Sequence, residues 1–186
     1  MNVKKINTKT SLLALFLTVG LIILMTSCLS EKNGSSKSGV NLFETFFVGE
    51  DGIQYFIKPL TFNDYNKNRL ILDITFRYKD KIKDSVFVNI SFLNTEIIRD
   101  IDSIRLSNNT ATIVSKNIKY LFTERKQSKF NSRFTTKNPL LDIYRLFDNE
   151  NWTITVYNKK TNSKYYSSKN TKIKINKLKY GIFMLF

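Results

Sequence analysis

Residues 69–78 read RLILDITFRY, and residues 85–92 read SVFVNISF. In the first run Leu70, Leu72, Ile74, Phe76 and Tyr78 alternate with Arg69, Asp73, Thr75 and Arg77, with Ile71 the one apolar exception. In the second, Val86, Val88, Ile90 and Phe92 alternate with Ser85, Asn89 and Ser91. Successive side chains of a strand point to opposite faces, so an apolar period of two marks a strand with one buried face. Polar Lys79–Lys83 joins the two runs and predicts a hairpin or close antiparallel pair.

Working outward, shorter strand candidates flank this pair. They are Leu42–Val48, Ile53–Lys58, Ile104–Leu106, Thr110–Val114, Ile118–Thr123, Trp152–Tyr157, Lys164–Ser168 and Lys172–Ile175. Trp152, Ile154 and Val156 alternate with Thr153 and Thr155, and NKKTNS at 158–163 supplies a turn, which predicts a second hairpin. One helix is expected near 139–148. Asn138 suits its N-cap and Pro139 its first turn, with Leu140, Ile143, Tyr144 and Phe147 at helical spacing. The ending YGIFMLF has Tyr180, Ile182, Met184 and Phe186 at period two and reads as a closing strand. The expected fold is mainly β, a β-sandwich or open barrel of about 7–10 strands with one short helix.

Composition fits a globular domain: 42% hydrophobic, 13% aromatic and two prolines in 186 residues. The chain has no histidine, which removes the commonest general base and metal ligand. Cys28 is its sole cysteine, so no internal disulfide or thiolate metal site can form. No cofactor and no metal are expected.

The amino-terminal segment explains that cysteine. Lys4, Lys5 and Lys9 precede an apolar run, LLALFLTVGLIILM at 12–25, and Thr26 and Ser27 then lead into Cys28. Basic start, apolar core and small residues at the cut are the order of a secretory signal. The run falls short of the roughly 20 residues a spanning helix needs. Met25-Thr26-Ser27-Cys28 resembles the lipobox of bacterial lipoproteins, departing from the usual pattern at Met25 and Ser27. The resemblance implies cleavage between Ser27 and Cys28, with diacylglyceryl and further acyl chains on Cys28. Two or more chains anchor a protein stably where one does not. The expected organisation is therefore a signal peptide at 1–27, a lipidated tether at 28–40 and one β-rich domain at 41–186. The tether, small and polar, reaches about 20 Å. The absence of Asp after Cys28 favours the outer membrane over the inner.

Charge points to a partner. The chain holds 30 basic and 15 acidic residues, a net +15. From Ser103 to Leu141 the only acid is Glu124, and after Glu150 there is none. Lys116, Lys119, Arg125, Lys126, Lys129, Arg133, Lys164, Lys172 and Lys174 are candidates for one basic face, should the C-terminal strands lie beside 116–137. Such a face would contact an anionic envelope polymer, lipid headgroups or an acidic protein; the same lysines also read as plain solvated surface. Nucleic acid fits the charge but not export. Tyr120, Phe122, Phe130, Phe134, Tyr165 and Tyr166 interleave with the bases, a pattern that stacks on sugars or, in strands, alternates core with solvent.

Three functional classes follow. The first is a non-catalytic, membrane-tethered binding or structural domain of the cell envelope. The second is a glycan hydrolase using acids such as Asp73, Asp100 or Asp102, since paired carboxylates run glycoside hydrolysis. The third is a toxin-neutralising lipoprotein, for which no residue speaks specifically. Asp84-Ser85-Val86 and Asp102-Ser103-Ile104 also resemble a short bacterial O-glycosylation pattern.

Overall fold

The computed structural model describes residues 42–79, 85–159 and 161–185. The signal-like segment, Ser27, Cys28 and the tether lie outside the described residues, as do Lys160 and the connection 80–84. The strands are β1 (Phe43–Phe47), β2 (Ile53–Asn63), β3 (Arg69–Tyr78), β4 (Ser85–Asn94), β5 (Ser103–Ser107), β6 (Thr112–Ser115), β7 (Lys119–Lys126), β8 (Lys129–Pro139), β9 (Thr153–Asn158) and β10 (Thr161–Ser167). Two helices are present, α1 (Leu140–Leu146) and α2 (Lys169–Gly181), with short 3-10 turns at Gly49–Asp51 and Phe183–Leu185.

All ten strands belong to one antiparallel sheet in the order β6-β5-β9-β10-β2-β3-β4-β8-β7, with β1 beside β2. The sheet curls into a half-barrel, the open-barrel form of the expected fold. The 69–78 and 85–92 runs form its centre, paired from Arg69↔Leu93 to Phe76↔Val86. Their apolar alternation is the core: Leu70, Leu72, Ile74, Phe76, Val86, Val88, Ile90 and Phe92 are all buried. The second hairpin also forms, with Asn158 opposite Thr161. Strand β2 serves two neighbours on one edge, β1 along Ile53–Ile57 and β10 at Phe62–Asn63. Its register shifts between Ile57 and Leu60, across Pro59, which has no N–H to give to a ladder. The rim is drawn together where the Ser115 hydroxyl of β6 donates to Asn138 Oδ1 of β8 at 2.7 Å.

Three expectations are corrected. Residues 129–139 form a long strand, β8, that the apolar pattern did not announce. Its core-facing positions Ser132, Thr136 and Asn138 are polar yet buried, so only Phe134 carries the period. Asn138 therefore bonds across the sheet rather than capping a helix, and α1 starts after Pro139 without a side-chain cap. Residues 172–175 are not a strand but the middle of α2. Ser168 caps that helix by accepting from the Thr171 N–H at 3.2 Å. Thr171, Ile175, Leu178 and Ile182 are buried at spacings of four, three and four, a helical stripe that the local Lys–Ile alternation masks. Lastly, the closing segment is no strand: it ends α2 and turns at Phe183–Leu185.

The helices fill one end of the half-barrel. Phe183 stacks on Phe147 with centroids 4.0 Å apart and on Phe76 at 5.9 Å, and Phe147 meets Trp152 edge-on at 4.8 Å. The Trp152 indole N–H donates to the Leu146 and Asn149 carbonyls at 2.8 and 2.7 Å, satisfying the polar tip of a buried ring. The cluster runs from Phe76 on β3 to Trp152, whose ring centroid lies 6.4 Å from that of Phe62 on β2. Beside the β2–β3 turn the sheet carries a groove on one face and a cleft on the other.

Candidate functional site

Residues 64–68 make the β2–β3 turn, which Asp64 staples. Its carboxylate accepts from the Asn68 backbone N–H at 2.8 Å and from the Asn68 amide at 2.9 Å. The Lys67 N–H donates to the Asp64 carbonyl at 3.2 Å, and Lys67 takes φ 60. The β7–β8 turn next to it on the sheet's end has the same character, with Gln127 at φ 57 between paired Lys126 and Lys129. A left-handed residue other than glycine costs on the order of 1 kcal/mol. At residue 67 the chain bears that cost while placing an ammonium at the rim.

Between these turns lies a groove of about 530 Å³ lined by Lys67, Arg69, Leu93, Lys126, Gln127, Ser128 and Lys129. Arg69, Leu93 and Asn131 are cross-strand neighbours, with their side chains on the face opposite Leu70, Phe92 and Ser132. The groove is thus on the outer face of the sheet. Four cations line it and no carboxylate does. Lys126 is shared with Glu124, 3.1 Å away. The Asn131 amide, donating at 2.9 Å, and then Lys126 hold the Glu124 carboxyl below its ordinary range, so it stays ionised. Lys67, Arg69 and Lys129 form no ion pair among the described residues. Four like charges around one concavity raise the local concentration of anions.

The nine bases singled out in the sequence do not form one face. Lys126 and Lys129 reach the groove. Arg125 lies beside it, and its Nε–H donates to the Gln127 carbonyl at 3.2 Å, bracing the turn. Lys116 and Lys119 are exposed at the far end of β7. Arg133 is withdrawn from binding: its guanidinium donates to both Asp73 oxygens at 2.9 and 3.0 Å and to the Ser91 hydroxyl at 2.9 Å. Lys164 is on β10, separated from β8 by β2, β3 and β4, and Lys172 and Lys174 are on α2. Lys67 and Arg69 were not among the candidates. Their signal is a basic pair where the β2–β3 turn opens into the strongest strand, but no sequence distance links that turn to residue 126.

A second cavity of about 540 Å³ opens on the inner face, at the mouth of the half-barrel. Alternate residues of the same segments separate the two: Asn66, Asn68, Phe92 and Asn94 face the cleft, while Lys67, Arg69 and Leu93 face the groove. The loop 95–101 forms one wall, and its Ile98 N–H donates to the buried Ser132 hydroxyl at 3.1 Å. Asp100 lines this cleft, Asp102 is exposed on the loop's end, and Asp73 is tied to Arg133 on the outer face. The three carboxylates considered for hydrolysis are therefore not gathered at one site. Among the described residues no group of three or more His, Cys, Asp or Glu is placed to hold a metal ion. No helix among the described residues is long and apolar enough to cross a membrane.

Comparison of the chain with protein-family models, with curated proteins and with solved structures finds no match in any of the three.

Proposed function

We propose that this protein is a bacterial envelope lipoprotein, acylated at Cys28, whose β domain binds an anionic envelope polymer in the outer groove. The observation that carries the reading is the convergence of Lys67, Arg69, Lys126 and Lys129, from two separate turns and the strand ends beside them, on one concavity without a lining carboxylate. Export and tethering rest on the signal-like segment and the Met25–Cys28 motif. The role is binding rather than turnover. A row of phosphates or carboxylates would release counterions from itself on contact with such a groove, so affinity would fall steeply with salt.

The test uses the full chain extracted in detergent and short-chain polyphosphate as a defined anionic probe. Binding should be salt-sensitive and should weaken at least tenfold, about 1.4 kcal/mol, in a Lys67→Glu/Lys126→Glu variant. Lys172→Glu/Lys174→Glu, which alters α2 by the same charge, should bind as the parent does. Lys67→Gly is the stringent variant, because glycine suits the left-handed backbone there and only the charge is lost. Equal binding by all of these would remove the groove from the proposal. Intact mass of protein isolated from its native envelope tests the anchor: an unmodified Cys28 in a full-length chain would remove the tether.

A further inference from the structure

The inner cleft has a different chemistry from the groove. Its lining mixes acceptors (Asp64, Asp100), a donor (Arg99) and amides that do both (Asn94, Asn158), above a floor that includes the Phe92 ring. Tyr165 completes it from β10. That residue is 4% exposed and touches Phe92 edge-on at 6.1 Å. Its hydroxyl lines the cleft with no hydrogen-bond partner among the described residues. Its neighbour Tyr166 differs, meeting the Tyr65 hydroxyl at 3.3 Å. Burial first, and the Asp64 charge second, push the Tyr165 phenol up to about 12, so it is a neutral hydroxyl at physiological pH.

The Tyr165 hydroxyl is thus the polar tip of an otherwise buried side chain, and a ligand group that bonds it takes the place of solvent there. The ligand must offer both donors and acceptors, because the cleft presents both. The lining sets Asp64, Glu96 and Asp100 against Arg99 and Lys159, so neither sign of charge dominates it, and an aliphatic ligand would bury the amides unpaired. Hydroxyl groups around a compact ring offer donors and acceptors together. The volume lies within the roughly 300–1,000 Å³ of small-ligand sites.

We infer that the cleft at the mouth of the half-barrel is a binding site for a neutral sugar unit, with the Tyr165 hydroxyl and the Arg99 guanidinium among its direct contacts. This site is independent of the anion groove, since the two occupy opposite faces of the sheet.

The experiment is calorimetry or saturation-transfer NMR on the full chain in detergent with three neutral probes, tetra-N-acetylchitotetraose, cellotetraose and maltotetraose. At least one should bind in the micromolar to millimolar range with little dependence on salt. Tyr165→Phe removes one oxygen and keeps the ring, and should weaken binding roughly three- to tenfold, the worth of one net hydrogen bond. Arg99→Ala, at an exposed loop position, should do the same without altering thermal stability. Lys67→Glu/Lys126→Glu should leave sugar binding intact, which separates this site from the groove. Absence of binding by all three probes at roughly 10 mM, well above the weak end of specific affinities, overturns the inference. So does binding that neither Tyr165→Phe nor Arg99→Ala changes.

Discussion

Single residues show why the most basic stretch of the chain is not uniformly available to a partner. Arg133 belongs to a cross-strand network with Asp73, Ser91 and Asn89, whose amide donates to Asp73 Oδ1 at 2.8 Å. With side-chain exposures of 27% and 18%, the Arg133–Asp73 pair is partly shielded from water. Removing the guanidinium leaves a half-buried carboxylate short of its donors. Arg133→Ala should therefore lower unfolding free energy by about 1–3 kcal/mol, read from a shift in denaturant midpoint, while polyphosphate binding per folded molecule stays unchanged. Tyr165 makes a pH prediction. Its folded pKa, about 12, lies above the usual 10, so the unfolded chain gives up that proton first as pH rises. The contribution is intact below pH 10 and is lost as pH climbs toward 12. Measured by denaturation at increasing alkaline pH, the parent should lose stability over that interval more steeply than Tyr165→Phe. Equal slopes would mean that the phenol titrates normally.

At the level of elements, the two patterns in the chain differ in how well they advertise themselves. Strand β3 keeps apolar residues at inward positions from Leu70 to Tyr78 and β4 from Val86 to Phe92, so each run suffices to recognise its strand. Strand β8 does not, because Ser132, Thr136 and Asn138 occupy inward positions; bonds from the 95–101 loop and β7 satisfy Ser132 and a bond from β6 reaches Asn138, while the Thr136 hydroxyl has no partner among the described residues. Helix α2 was legible only over its whole length. Four residues of it, KIKI, mimic a strand, whereas the buried set from Thr171 to Ile182 has helical spacing. Its packing ends on Phe183, which locks both helices to the sheet through Phe147 and Phe76. Phe183→Ala should cost about 3–5 kcal/mol in chemical denaturation. It should also raise near-ultraviolet signal loss around Trp152, one ring away. A loss below 1 kcal/mol would show that the segment merely rests on the core.

For the whole molecule, closure of the sheet matters most. A curled sheet with free edges has to be held at its rim, and among the described residues the Ser115–Asn138 hydrogen bond joins β6 to β8. Asn138 Nδ2 and the Thr136 hydroxyl are buried there without partners, so the rim has little polar satisfaction in reserve. Ser115→Ala should destabilise by about 1–2 kcal/mol and speed amide exchange in β5 and β6 more than in β3 and β4. Uniform exchange changes would argue against a local closure role. The amino-acid order by itself determined the β class, the central pair, the second hairpin, the helix after Pro139 and the positive charge. These follow from periodicities and composition carried within a few residues. Tertiary structure alone decided which bases share a groove, that Arg133 is spent on Asp73, that Lys67 faces Lys126, and that Tyr165 lines a cleft. Those are contacts across 59 to 101 residues of chain, from Lys67 and Lys126 to Asp64 and Tyr165. Side chains so far apart acquire a common environment only when the sheet order β10-β2-β3-β4-β8 sets them side by side, and no local pattern encodes that order.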